Sequence, residues 1–255
     1  MTKYKVGYIV GSLATASINR TLAKALIRMA PPELEFVEVP IKDLPLYSYD
    51  YDADYPAEGR ALKDALASVD AVLFVTPEYN RSIPGGLKNA IDWASRPPGQ
   101  NSFAGKPSAV IGASPGRLGT ALAQQSLRAV LGYCNSPQMN TPEAYIQLTP
   151  DVVTDDGEVT DVSTARFLQK FVADFRTFIV RVSPIDLEVL LSTSMKTRPS
   201  PPATLADAST RRTVGRPSSR PQPVWLATTH ASSQAPAKLG LVSADSAQRQ
   251  HGGSR

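Results

Sequence analysis

The chain has 255 residues, 42% of them hydrophobic, and a formal net charge of +4 from 27 Lys and Arg against 23 Asp and Glu. That length allows one large domain or a domain with an appendage, and no stretch reaches the roughly 18 apolar residues that a membrane span needs. The one cysteine, Cys134, excludes an internal disulfide and any cysteine-pair metal site, so a reducing cytoplasm is the expected compartment.

The N-terminus runs straight into a strand pattern, Val6 to Val10, and no signal peptide is expected. Asn19 to Met29 then predicts a helix, with Leu22, Ala25, Leu26 and Met29 at helical spacing. Leu34 to Val39 reads as a short strand, and Glu58 to Ser68 as a helix through Leu62, Ala65 and Leu66. Ala71 to Val75 is apolar throughout, the pattern of a strand covered by helices on both faces. The next helix carries Leu87, Ala90, Ile91 and Ala94 on one side, with Ser82 as its expected cap and Pro84 in its first turn. Ser108 to Ala113 predicts a fourth strand and Thr120 to Leu131 a fourth helix. A weaker fifth strand is expected between Gln138 and Gln147, and a closing helix over Val162 to Val180. This alternation predicts an α/β fold, a doubly wound parallel sheet. Five strands suit the flavodoxin-like order better than a six-stranded dinucleotide fold.

From residue 183 onward the text becomes rich in Pro, Ser, Thr and Arg with no sustained period, as in "KTRPSPPATLADASTRRTVGRPSSRPQPVW". Residues 1–182 are therefore read as the folded domain and 183–255 as a basic, disordered tail, with 185–191 a short exception. The tail holds nine Lys and Arg against four Asp and Glu, a balance of +5, which leaves 18 against 19, or −1, in the body. A near-neutral body carries no electrostatic footprint for nucleic acid. Both histidines, His230 and His251, also lie in the tail. Histidine-based nucleophilic catalysis and the usual zinc sites are thus excluded from the body. Chemistry in such a body points to a bound cofactor.

In an open parallel sheet, ligands bind beyond the carboxyl ends of the strands, near the topological switch point. Three loops converge there. "GSLATASINR" (11–20) offers Ser12, Thr15, Ser17 and Asn19 ahead of a helix N-terminus, an arrangement suited to a phosphate and equally to a plain Ser/Thr-rich turn. It is neither a P-loop nor a GxGxxG turn. The second loop is Pro77 to Ser82, and the third is "GASPGRLGT" (112–120), where glycines let backbone approach a flat ligand. Together they suit a mononucleotide with its phosphate at the first loop and its ring between the others. A low-molecular-weight phosphatase would need a CxxxxxR loop after the first strand, and a response regulator an acidic pair; neither is present.

"GSL" followed by "SINR", then "PEYNRSIPGGLKNAIDW", then "GASPG" with "GT", closely resembles the NADPH-dependent FMN reductase family, which includes quinone, chromate and azo-dye reductases. The resemblance covers about residues 3–181 and stops where the composition changes. It implies FMN as cofactor and NADPH or NADH as co-substrate, with Ser12, Ser17, Ile18 and Asn19 against the FMN phosphate. It places Pro77, Glu78, Tyr79 and Asn80 along the isoalloxazine ring, with Ser114, Pro115 and Gly116 at its other edge. The family often has Arg after "GSL" where this chain has Ala14, with Arg20 a substitute cation. The implied partners are a small-molecule electron acceptor and further copies of the chain, as a homodimer or homotetramer. Neither nucleic acid nor membrane is expected. Catalysis is implied to rest on the flavin, with no side-chain base. The alternative is a flavodoxin-like electron carrier that holds FMN without turning over NADPH.

Other residues have plainer readings. Glu78 is expected to orient its loop or meet a partner subunit. "YSYDYDADY" (47–55) lacks the glycine and glutamate of a calcium loop and reads as a rim or subunit contact. "TDDGEV" (154–159) reads as an acidic turn, Cys134 as a small buried residue, and Trp93 as packing.

Overall fold

Five apolar runs form parallel strands in the computed structural model, which describes residues 2–149 and 152–183. They are β1 (Tyr4–Val10), β2 (Leu34–Glu38), β3 (Ala71–Val75), β4 (Ser108–Ser114) and β5 (Tyr145–Gln147). The helices are α1 (Ile18–Arg28), α2 (Ala57–Ala67), α3 (Gly85–Ala94), α4 (Ala121–Tyr133) and α5 (Val162–Val182). The strand order is β2-β1-β3-β4-β5, every neighbouring pair parallel, which is the flavodoxin-like order. The tail read as disordered, with His230 and His251, lies outside the described residues from 184 onward.

Alternate side chains of each strand serve opposite layers. Val6, Val10, Leu73, Val75 and Ile111 pack with Leu22 and Leu26 of α1 and Phe171 and Phe175 of α5. Ile9, Val72, Phe74 and Val110 pack with Leu66, Leu87 and Leu127 from α2, α3 and α4. Burial on both faces explains why β3 shows no polar alternation. Because α1 and α3 leave on opposite faces, the loops after β1 and β3 part at the carboxyl end of the sheet and open a crevice there.

Two elements differ from the sequence reading. The cap of α3 is Pro84, not Ser82. Ser82 instead exchanges two backbone hydrogen bonds with Tyr79, each 3.0 Å, and closes a tight turn. β5 is only three residues long, because the chain leaves the ladder between the Ser108–Gln138 bridge and the Gly112–Tyr145 pair.

The tyrosine-rich stretch packs on Trp93, which is fully buried. Tyr47 and Tyr55 meet its ring edge-on at 5.2 and 5.0 Å, and its Nε1 donates to the Pro45 carbonyl at 2.7 Å. The Asn89 amide accepts from Tyr47 N and donates to Pro45 O, each at 2.9 Å. The long loop after β2 is thereby held on α3. The acidic turn also docks: Gly157 (φ +87°) lies against α1, and Lys24 Nζ donates to the Asp155 carbonyl at 2.9 Å.

Asp161 caps α5, its Oδ2 accepting from Thr164 N at 2.7 Å and Ser163 Oγ at 2.6 Å. The Ser163 hydroxyl and then the Thr164 amide hold this carboxyl down at about 2. A depressed folded pKa gives stability that is complete above the unfolded value of about 3.9 and is lost as pH falls through the folded one. Asp161→Ala is therefore expected to lower the unfolding midpoint at neutral pH. The gap from wild type should close between about pH 4 and pH 2 in thermal melts. A gap independent of pH would rule out the charged cap.

Candidate functional site

Each of the three loops is shaped by local chemistry. After β1, Gly11 N donates to the Val75 carbonyl at 2.9 Å. A Cβ at Gly11 would stand 3.1 Å from Leu87 Cδ2 and 3.3 Å from Pro77 Cδ, so glycine lets the first and second loops close on each other. Ser12 Oγ accepts from Ala14 N at 3.3 Å. Ser17 is the N-cap of α1, yet its side chain makes no cap bond, and the first turn holds no acidic residue. The leading N–H groups of any α-helix lack intrahelical partners. Among the described residues, neither the Ser17 hydroxyl nor a first-turn carboxylate covers them here.

Asn19 is 1% exposed, and its amide is fully engaged. Nδ2 donates to the Ala113 carbonyl at 3.0 Å, and Oδ1 accepts from the Ala113 N–H at 2.9 Å. This reciprocal pair ties the start of α1 to the end of β4. Arg20, considered above as a substitute for the missing loop arginine, is committed elsewhere. Its Nη1 lies 2.9 Å from Glu38 Oε1, across β2.

The second loop leaves β3 through Thr76, whose Oγ1 donates to the Pro77 carbonyl at 2.9 Å. Tyr79 and Ser82 bracket a two-residue turn in which Asn80 (φ 50°) and Arg81 (φ 63°) are both left-handed, the signature of a type I′ hairpin turn. Glu78 reaches across to α4. Its Oε2 accepts from Leu122 N at 3.0 Å and Ala123 N at 3.2 Å, and its Oε1 meets Arg81 at 3.4 Å. The carboxylate thus orients its loop, as the sequence suggested. In the third loop Gly116 N donates to Ser114 Oγ at 3.1 Å, and Gly119 (φ +56°) presses against the Tyr145 backbone.

These loops enclose a cavity of about 250 Å³. Nine of the residues singled out from the sequence line it: Ser12, Ser17, Ile18 and Asn19 from the first loop, Pro77, Glu78 and Tyr79 from the second, Ser114 and Pro115 from the third. Asn80, at the turn, and Gly116 stand outside its lining. Ala14, the position where the family often has Arg, lines it too, as do Ala16 and Ala113, which sequence reasoning missed. The one available signal is their small size in loops where a ligand comes close. Cys134 is buried at the C-cap of α4, and burial pushes its thiol up, away from a reactive thiolate. Among the described residues, no group of three or more His, Cys, Asp or Glu side chains is placed to hold a metal, and no helix is long and apolar enough to cross a membrane.

The profile of the family described as NADPH-dependent FMN reductase matches residues 4–151. A 2-hydroxy-1,4-benzoquinone reductase from a Burkholderia species is 47% identical over 69% of this chain and 96% of its own. A quinone reductase from Pseudomonas putida is 46% identical over 69% and 95%. The solved structure of a flavoenzyme NAD(P)H:(acceptor) oxidoreductase from Paracoccus denitrificans is 50% identical. It covers 71% of this chain and 99% of its own, with a TM-score of 0.68. On this fold, this site and these similarities, the chain belongs to the NADPH-dependent FMN reductase family, enzymes that use FMN with NAD(P)H to reduce flavins and quinones.

Proposed function

We propose that the cavity seats FMN with its phosphate at the start of α1 and its ring between the second and third loops, and that the physiological acceptor is a quinone. The observation that carries this reading is the α1 N-terminus inside the cavity, where, among the described residues, the Ser17 side chain makes no cap bond to the leading N–H groups and no acidic residue stands in the first turn. With Ala14 in the loop and Arg20 turned to Glu38, the phosphate is held by neutral donors and the helix dipole alone. Ser12 lies on the same side.

Pro77, Glu78, Tyr79 and Asn80 form one edge of the ring seat in this reading, and Ser114, Pro115 and Gly116 the other. Tyr79, half exposed at the mouth, offers a flat surface for an aromatic acceptor. When bound, FMN supplies the electron chemistry, taking hydride from the nicotinamide and passing the electrons to the acceptor. The chain's contribution is to bind, orient and shield. Glu78, the cavity's one carboxylate, is occupied by backbone donors and is not free to shuttle protons. The relatives named as quinone reductases support a quinone over the azo compounds and chromate that the family resemblance also brings in.

Exposed Leu13, Tyr79 and Leu118 on these loops, with Leu122 at the start of α4, support an assembly of two or four copies packed around the mouth. Residues 1–182, ending with α5, are the catalytic domain in this reading, in a reducing cytoplasm that suits the lone cysteine. The test is an FMN titration followed by NADPH in the same cuvette, then by benzoquinone, an azo dye or chromate. Saturable binding, bleaching by NADPH and fastest recovery with the quinone are expected. Binding without bleaching would instead identify an electron carrier, and absence of binding would remove the flavin assignment altogether.

A further inference from the structure

A second cavity, of about 290 Å³, lies against the first loop and α1. It shares Ala16, Ser17 and Ile18 with the cavity described above, so the two meet along one wall at the start of α1. Ser17 is 7% exposed, its side chain makes no cap bond, and it lines both cavities. Their charges are opposite. Glu78 is the one charged residue lining the first, a balance of −1. The second is lined by Arg20 and Lys24 against Asp155, a balance of +1, with Thr15 and Thr21 beside them. Ser17, Arg20, Thr21 and Lys24 are spaced i, i+3, i+4 and i+7, so they share one face of α1 and its cap. Both cations keep donors in reserve. The bonds of Arg20 to Glu38 run through Nη1, which leaves Nε and Nη2. Lys24 gives one N–H to the Asp155 carbonyl at 2.9 Å and keeps its others.

We propose that this second cavity is a phosphate subsite adjoining the first, and that the site takes a flavin ending in a diphosphate, of the flavin adenine dinucleotide (FAD) class, as well as FMN. The first phosphate sits at the α1 start, beside Ser17. The second crosses the shared wall at residues 16–18 and meets Arg20 and Lys24. Neutral donors and a helix dipole serve one phosphate, but a second adds charge that only cations offset well. Arg20 and Lys24 stand where that charge would fall, outside the first cavity and inside the second. The hydroxyls of Thr15 and Thr21 supply further donors along the same path. This inference rests on the flavin reading.

The test titrates full-length, flavin-free protein with FMN and with FAD, and repeats both on Lys24→Gln. That variant removes the charge yet keeps a donor for the Asp155 carbonyl. FAD is expected to bind wild type at least as tightly as FMN. Lys24→Gln should weaken FAD binding roughly 3- to 10-fold and leave FMN binding within about 2-fold. Raised salt should weaken FAD binding more than FMN binding. Inorganic pyrophosphate, followed through backbone amide resonances, reads the subsite without a flavin. Saturable shifts are expected at Thr21 and Lys24 in wild type, and Lys24→Gln should need more pyrophosphate to reach them. FAD bound more than about tenfold more weakly than FMN in wild type would overturn the proposal. So would a Lys24→Gln protein that loses both flavins equally or neither. If neither flavin binds wild type, the flavin reading falls. Pyrophosphate then decides the subsite alone: shifts at Thr21 that depend on Lys24 keep it, and their absence removes it.

Discussion

Replacing Gly112 with alanine is expected to lower stability by about 3 kcal/mol and the melting temperature by roughly 6–12 °C. A Cβ there would lie 2.1 Å from the Thr76 carbonyl oxygen and 2.2 Å from Thr120 Oγ1. Neither neighbour is the free end of a flexible side chain. Thr76 is the last residue before the second loop, and its N–H donates to the Ile111 carbonyl of β4 at 2.9 Å. Thr120 is fully buried at the start of α4. Relief of the clash must therefore move the second loop away from the third, and both wall the cavity. The variant should lose cofactor affinity together with stability. Gly132 provides the control, because a Cβ there meets nothing nearer than Gln138 Nε2 at 3.7 Å. Gly132→Ala, near the end of α4, is expected to be neutral or to stabilise by up to about 1 kcal/mol. A Gly112→Ala protein that melts with wild type would show that the Thr76 carbonyl does not approach β4 so closely.

The need for glycine at 112 illustrates what the sequence discloses. Its place in a glycine-bearing segment after a strand was visible, and suggested that something approaches the backbone closely. What approaches first is the protein itself, through Thr76 and Thr120, which no local pattern reveals. The strands and helices were legible because burial on two faces writes continuous apolar runs, and burial on one writes a helical period. The strand order followed from counting those runs. Where a local rule competed with a tertiary one, the local rule lost. Ser82 has the chemistry of a cap, but its backbone is spent on Tyr79, and Pro84 starts the helix. Arg20 sits close to the first loop in sequence, yet helical geometry carries it round to Glu38. The partners of Glu78 and Asn19 lie 44 and 94 residues away, and pairings at that range leave no trace in one sequence.

Asn19 and Ser17 look alike as polar residues at one helix start, and the structure separates them by where their atoms are spent. Both polar ends of the Asn19 side chain are used on the buried backbone of Ala113. Asn19→Leu preserves most of the volume but strands one donor and one acceptor of Ala113 without water. Each stranded group costs about 1–3 kcal/mol, so a total near 3 kcal/mol is expected in the flavin-free protein. Because that pair fixes the start of α1 against β4, FMN affinity should fall with it. Ser17 is the reverse case. Its hydroxyl makes no cap bond, so Ser17→Ala should leave the flavin-free protein within about 0.5 kcal/mol of wild type. Loss of one hydrogen bond to a charged phosphate, worth roughly 1.5–3 kcal/mol, should weaken FMN binding about 10- to 100-fold. Urea titration of both variants without flavin, followed by FMN titration, reads the two quantities separately. If Ser17→Ala binds FMN as wild type does, the phosphate does not sit at the α1 start. If Asn19→Leu is as stable as wild type, the Ala113 pair does not hold the loop, and another contact must.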